Sequence, residues 1–236
     1  SRLLGIEQES VPRWEELLGR LPEYPINRDG HLPEFPGKPL KAAHRHHSSL
    51  YPCFQSFDPV FETDARLRGA AQATVRAKNL ASDNGGEDST FGRVQAGVSA
   101  AYLGMPQEAY SRLEVMAVRR SMNPSLITSH NPNARTFNTD GNGGIPHIVN
   151  TMLVFSRPGR IDLLPALPAE WPRGEIRGIL ARNQVTINRL AWDAPGRTVR
   201  VSLTSRTGQT VKLRVNGNEQ SLHLPKDEPV EMELKW

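Results

Sequence analysis

The segment His44-Arg45-His46-His47-Ser48-Ser49-Leu50-Tyr51 places three imidazoles and a guanidinium within four positions. Adjacent residues of an extended loop point in alternate directions, so consecutive histidines do not converge on one ion. No HxxxH or HExxH spacing accompanies them, which argues against a metal centre. An Arg between His residues suits polar recognition, because planar donors meet neutral hydroxyls and ring oxygens. The same stretch also reads as an ordinary loop packed on Tyr51 and Phe54. A second stretch, Phe137-Asn138-Thr139-Asp140-Gly141-Asn142-Gly143-Gly144, reads either as an Asx turn or as a carboxylate, Asp140, held on a tight glycine turn and aimed at a pocket. In Gly85-Gly86-Glu87-Asp88-Ser89-Thr90-Phe91, Glu87 and Asp88 are paired acids or the complement of a helix start. His130-Asn131-Pro132-Asn133 is a pocket rim or a turn.

Other chemistries lack their templates. There is no GxSxG elbow, P-loop or GxGxxG. Cys53 is the single cysteine, so no internal disulfide forms, and its Pro-Cys-Phe setting suggests a buried thiol. The net charge of +4 is carried by Lys and Arg scattered singly and in pairs such as Arg119-Arg120, among Asp and Glu. With no basic run and no nucleic-acid motif, a nucleic-acid partner is not expected. No apolar run approaches the roughly 18 residues of a membrane span. At 37% hydrophobic and 23% charged the chain reads as globular. Nothing at its start resembles a signal peptide. The opening Ser1-Arg2-Leu3-Leu4 reads as the inside of a helix, and hence as a piece of a longer protein.

The elements that must hold these loops change character near residue 157. Before it, apolar residues recur at helical spacing. Trp14, Leu17, Leu18 and Leu21 share one face of a helix that Ser10 can cap, with Pro12 in the first turn. Leu67, Ala70, Ala71, Thr74 and Val75 mark a second helix. Phe91, Val94, Val98, Ala101 and Tyr102 mark a third, ended by Gly104. Pro106 starts a fourth with Ala109, Leu113 and Met116 inward, and a last helix is expected from about Ile145 to Phe155. Residues 22–57 and 121–144 are long irregular loops, which in compact domains are commonly functional. After Arg157-Pro158-Gly159 the period becomes two. Val185-Thr186-Ile187, residues 198–203, residues 211–215 and residues 230–234 alternate, with turn signals at Pro195-Gly196, Thr207-Gly208 and Asn216-Gly217. The expected organisation is a helical domain over 1–157 and an antiparallel β domain over 158–236.

Taken in order, these loops resemble glycoside hydrolase family 95. His44-Arg45-His46, Ser48 and Leu50-Tyr51 are similar to that family's HRHxSxLY stretch. Phe137, Asp140-Gly141-Asn142 and Gly144 are similar to its FQIDGNFG motif. Leu163-Leu164-Pro165-Ala166-Leu167-Pro168 is similar to its LLPALP segment, and Trp171-Pro172, Gly174 and Arg177-Gly178 are similar to the Trp-Pro, Gly and Arg positions downstream of that segment. Asp29-Gly30-His31-Leu32-Pro33-Glu34-Phe35 is similar to its DGxLQEW loop. The likeness runs over roughly residues 1–190. The sequence departs at Asn138 (Gln in the family), Gly143 (Phe), Ser49 (His) and Glu87-Asp88 (Gly-Trp), changes that reshape a pocket wall.

The resemblance implies the later helix pairs of an (α/α)6 barrel followed by a C-terminal antiparallel β-sandwich. It implies an inverting hydrolase of terminal α-L-fucosides, or α-L-galactosides, of an oligosaccharide or glycan, with no cofactor and no metal. In the family a Glu is the general acid, and two Asn side chains polarised by an Asp position the attacking water. That Asp matches Asp140, while the Glu and both Asn precede the segment matched here, so a preceding N-terminal half is an implied partner. The Arg-His pair that contacts the sugar matches Arg45 and His46, and the motifs also place Asn142 and Glu34 with the substrate. The resemblance leaves the location open and favours a secreted or periplasmic one, since the family acts on glycans. Two other readings stand beside it: a carbohydrate-binding or structural module without chemistry, and a related barrel phosphorylase.

Overall fold

The computed structural model describes residues 1–2, 4–118, 121–132 and 136–235. Leu3, the Arg119-Arg120 pair and Asn133 lie outside the described residues. Seven α-helices precede eight strands among those described. Helix α1 spans Val11–Gly19, α2 Tyr51–Phe54, α3 Val60–Thr63, α4 Ala65–Asp83, α5 Thr90–Tyr102, α6 Pro106–Val118 and α7 Thr139–Leu153. No helix among the described residues is long and apolar enough to cross a membrane.

Helix α5 is the hub. Every residue from Gly92 to Ala101 is buried, because α2, α4, α6 and α7 all pack on it. The expected stripe of α4 is the one observed: Leu67, Ala70, Ala71, Thr74 and Val75 face inward, and Asp64 caps the helix by accepting from Arg66 N and Leu67 N at 2.8 and 3.0 Å. Four expectations need correction. The chain start is turn rather than helix, and regular helix begins at Val11. Ser10 stands at the cap position of α1 but its hydroxyl makes no capping bond. The apolar face of α1 is open, with Trp14 39%, Leu17 48%, Leu18 65% and Leu21 67% exposed. The last helix starts at Thr139, six residues before the expected Ile145, and runs through Pro146.

Strand begins at Val154, directly after α7. Strands β1 Val154–Arg157, β2 Arg160–Leu163, β6 Gln209–Val215 and β7 Asn218–Leu224 form one sheet in the order β1-β2-β6-β7. Strands β3 Arg173–Ala181, β4 Val185–Asp193, β5 Thr198–Ser205 and β8 Pro229–Lys235 form the other, in the order β3-β4-β5-β8. Arg157-Pro158-Gly159, expected at the domain switch, is instead the β1–β2 hairpin turn, with Gly159 at φ 78°. The Asn216-Gly217 turn joins β6 to β7 with both residues at positive φ, as a primed hairpin turn requires. The sheets are antiparallel except at β2–β6, which run parallel. Alternating residues of both sheets, among them Ile161, Val211 and Leu213 on one and Ile187, Leu190 and Val201 on the other, fill one apolar cluster.

The LLPALP-type segment fastens the two regions. Leu164 N and Ala166 N bond to the last carbonyls of α7, at Leu153 and Met152, and Ala166 joins the helical core. Trp171 touches both cores, and its carbonyl accepts from Trp192 Nε1 at 2.8 Å. An ionic joint adds to this. The Glu62 carboxylate of α3 accepts from Arg157 Nε at 2.7 Å and Arg160 Nη2 at 2.6 Å. Burial alone would raise the Glu62 pKa, but the bonds from Arg157 and Arg160 outweigh it, and the carboxyl titrates below its ordinary value of 4.5. A carboxyl with a depressed folded-state pKa contributes stability that is present above the unfolded value and lost as pH falls through the folded one. Glu62→Gln is therefore expected to lower the unfolding free energy by about 1–3 kcal/mol at neutral pH, since it leaves two guanidinium groups facing a neutral amide. The deficit should shrink below about pH 4.5. Urea melts of both proteins at pH 7 and pH 4 check this; a deficit independent of pH would rule out the ionic joint.

Candidate active site

The start of α5 organises the polar face. Ser89 Oγ caps it by accepting from Gly92 N at 3.0 Å. Asp88 turns back to the buried Arg93, with Arg93 Nε 2.8 Å from its Oδ1, so Glu87 and Asp88 do not act as a pair. Gly92 lets the backbone of Arg45 lie directly on the helix: a Cβ there would stand 2.1 Å from the Arg45 carbonyl oxygen. His47 N donates to Gln95 Oε1 at 2.8 Å, and Lys78 Nζ of α4 donates to the His46 carbonyl at 3.1 Å. These contacts fix the 44–47 loop.

The three neighbouring histidines have different surroundings. His47 is packed in the interior; burial and then the charge of Lys78 lower its pKa to about 3, so it is a neutral core imidazole. His46 is half-buried, 6.5 Å ring to ring from Phe91 and 5.3 Å from His44. Burial first, then the Arg45 and His44 charges, lower its pKa, and His130 adds to the same effect. His46 is therefore neutral at pH 7, able to donate from one nitrogen and accept at the other. Arg45 is exposed, its Nη1 3.4 Å from Glu87 Oε2. Among the described residues, no group of three or more His, Cys, Asp or Glu is placed to hold a metal ion. Cys53 is buried, and burial pushes its thiol pKa up, which leaves it unreactive.

The same helix start holds the second loop. Thr90 N donates to the His130 carbonyl at 2.9 Å, and Thr90 Oγ1 to that of Ser129. Short bridges at Met122–Thr128 and Ser129–Phe137 bring the chain back to α7. The 137–144 motif is not a glycine turn. It is the first turn of α7, capped by Asn138, whose Oδ1 accepts from Gly141 N at 2.7 Å. Its glycines serve close helix packing. A Cβ on Gly141 would stand 2.6 Å from Thr90 and Thr128 atoms, and one on Gly144 would stand 2.3 Å from Val94.

Asp140 thus projects from a helix N-terminus, where the macrodipole favours a carboxylate. It is exposed, and its Oδ2 accepts from Asn138 Nδ2 at 3.1 Å. Asn138 Nδ2 also lies 3.5 Å from His130 Nδ1. Asp140, Asn138 and His130 are therefore linked side chain to side chain, and His130 is near enough for its charge to bear on His46. Two of the expected substrate contacts also make bonds within the protein. Asn142 accepts from Thr128 N at 2.9 Å and Thr128 Oγ1 at 2.8 Å and donates to the Leu126 carbonyl at 3.1 Å, so its amide holds the 121–128 loop. Glu34 is 14% exposed at its side chain and faces Lys78 Nζ at 3.5 Å.

The two halves of the chain match models of known domains. Residues 1–153 match the glycosyl hydrolase family 95 catalytic domain, and residues 155–235 match the glycoside hydrolase family 95 C-terminal domain. The chain belongs to glycoside hydrolase family 95. Among curated relatives it is similar to alpha-L-fucosidase 2 of Arabidopsis thaliana, at 28% identity over 186 residues. That match takes in 73% of this chain and 21% of the relative, so the chain spans about a fifth of the length of that protein. Among solved structures it resembles a putative kojibiose phosphorylase from human microbiome, with a TM-score of 0.51 and 14% identity over 81% of this chain and 25% of that one. The likeness concerns the fold alone. Within the family 95 frame, sequence reading missed Asn138 as a working residue: it registered only as a departure from Gln. The available signal was its position three residues before Gly141, the spacing of a side-chain N-cap.

Proposed function

We propose that this chain is the later part of an inverting family 95 glycosidase that removes terminal α-L-fucosyl or α-L-galactosyl residues from glycans. The observation that carries the reading is the run of side-chain contacts from Asp140 through Asn138 to His130, with Asp140 and Arg45 both exposed. In this reading the helical region supplies the later pairs of an (α/α)6 barrel, and the two sheets make the C-terminal sandwich. The open apolar face of α1 is where earlier helices of the same polypeptide would pack. Arg45 and the neutral His46 bind sugar hydroxyls. Asp140, ionised and held by the Asn138 amide, is the charged end of the base machinery. An inverting hydrolase needs its acid and base on opposite sides of the scissile bond with room for a water between them. In this reading the acid and the water-positioning Asn pair would come from the preceding segment. A neutral amide oxygen is a poor base; a carboxylate that accepts from its N–H raises its electron density and offsets the charge developing on water.

The test is hydrolysis by the full-length protein of para-nitrophenyl α-L-fucoside, 2′-fucosyllactose and an α-L-galactoside, each with and without inorganic phosphate. Release of free sugar with inverted anomeric configuration, independent of phosphate, is the expected result. Sugar 1-phosphate formed only with phosphate would move the protein to the phosphorylase reading that its fold neighbour motivates. Binding without turnover would make it a carbohydrate-binding module.

A further inference from the structure

Lys78 is a charged residue in an apolar stripe. It lies three positions after Val75 on the inward face of α4, and its side chain is fully buried. An apolar residue there would continue the stripe without the cost of desolvating an ammonium. Lys78 Nζ donates to the carbonyls of Lys41 and His46, both at 3.1 Å, and its third direction meets Glu34 Oε1 at 3.5 Å, an ion pair rather than a short hydrogen bond. Burial pulls the Lys78 pKa down and the Glu34 carboxylate opposes that pull. Glu34 Oε2 reaches back to Lys41 N at 3.5 Å. The pair thus touches both ends of the segment 41–46, which has no helix or strand of its own. The segment is also held by Gln95 at His47 N, by Gly92 under Arg45, by Glu87 N at the Ala43 carbonyl and by the Arg45–Glu87 ion pair, whose partners are both exposed.

We infer that Lys78 is a positioning residue for the sugar-contacting loop: its buried ammonium, paired with Glu34, clamps the Lys41 and His46 carbonyls and so sets where the His46 imidazole and the Arg45 guanidinium stand. The inference rests on the proposed role of Arg45 and His46 as the sugar contacts. It reassigns Glu34 from the substrate to the support of the loop that meets it. Small displacements of such groups weaken binding well beyond the energy of the bond removed, because the groups must be held in place before substrate arrives.

The experiment uses the full-length protein with Lys78→Met, Glu34→Gln and the double variant. Three quantities are measured: the melting temperature, amide hydrogen exchange over residues 41–47, and kcat and KM on the best glycoside. Lys78→Met is expected to lower the melting temperature, speed exchange over 41–47 and raise KM at least about tenfold with kcat changed less than about threefold. Glu34→Gln keeps an acceptor for the ammonium but removes its counter-charge, and should raise KM and 41–47 exchange together, each by less than Lys78→Met does. The double variant decides between positioning and simple charge burial. With no lone buried carboxylate it should regain most of the melting temperature, yet retain the fast exchange and the raised KM, since nothing replaces the clamp on the carbonyls. Restoration of exchange and KM together with stability would overturn the inference. So would an unchanged 41–47 exchange in Lys78→Met, or a Glu34→Gln variant whose KM rises with the loop still ordered. If the parent turns over no glycoside, the proposed function fails by itself, and exchange over 41–47 still decides whether the clamp exists.

Discussion

In the full-length protein, Asp140→Asn should lower kcat on an α-L-fucoside by at least about a hundredfold while leaving the fold intact. The separation of the two effects follows from where Asp140 sits. It is in the first turn of α7, exposed, and the capping bond of that helix belongs to Asn138. The substitution preserves shape, and the new amide oxygen still accepts from Asn138 Nδ2. The stability lost is the favourable placement of a negative charge at a helix N-terminus, about 0.3–1 kcal/mol. The negative charge that would polarise the water-positioning amides is lost entirely. A loss of kcat with little change in KM, alongside a thermal melt close to the parent's, is the expected pattern. A variant of unimpaired activity would return Asp140 to an ordinary helix-start carboxylate and leave the base machinery to other residues.

The residues that bear on this site were legible from the sequence in unequal measure. The helical stripes of α4, α5 and α6 could be read because their apolar residues recur at the helical period and bury the same positions. The same rule misled at α1, whose stripe is real but faces no partner among the described residues. The start of α7 was missed for a physical reason. Three glycines and a proline within Gly141–Pro146 signal a turn by local propensity, yet tertiary packing overrides it: Gly141 and Gly144 are small so that α7 can approach Thr90, Thr128 and Val94. Strand β3 alternates in burial but slips by one residue at Gly178 and has no fully buried residue, so its period of two is weak in the sequence. Within the site, Arg45, His46 and Asp140 could be picked out by residue type and motif. Lys78, Gln95 and Asn138 could not, because their roles depend on partners 32, 48 and 8 residues away that only the fold brings together.

Gly92→Ala should be the most damaging single methyl group added near the site. Its Cβ would meet the Arg45 carbonyl oxygen at 2.1 Å, an atom of the main chain that cannot rotate away. Either α5 shifts, against a helix buried along its length, or the 44–47 loop lifts and carries Arg45 and His46 with it. The first costs core packing. The second stretches the His47 N bond to Gln95 and the Lys78 bond to the His46 carbonyl. Overpacking of this kind costs about 1–3 kcal/mol, above what alanine gains over glycine inside a helix, about 0.5–1 kcal/mol. The expected result is a net loss of stability together with a KM raised at least about tenfold. Gly143→Ala supplies the contrast within the family 95 motif. A Cβ there meets nothing within 4 Å, the residue is exposed on α7, and the change should stabilise by about 0.5–1 kcal/mol without altering KM. Urea melts and steady-state kinetics on both variants check the pair. A Gly92→Ala variant with the parent's stability and KM would show that the loop does not rest on α5. A Gly143→Ala variant that loses stability would show that residues 139–144 form a turn needing glycine rather than the first turn of a helix.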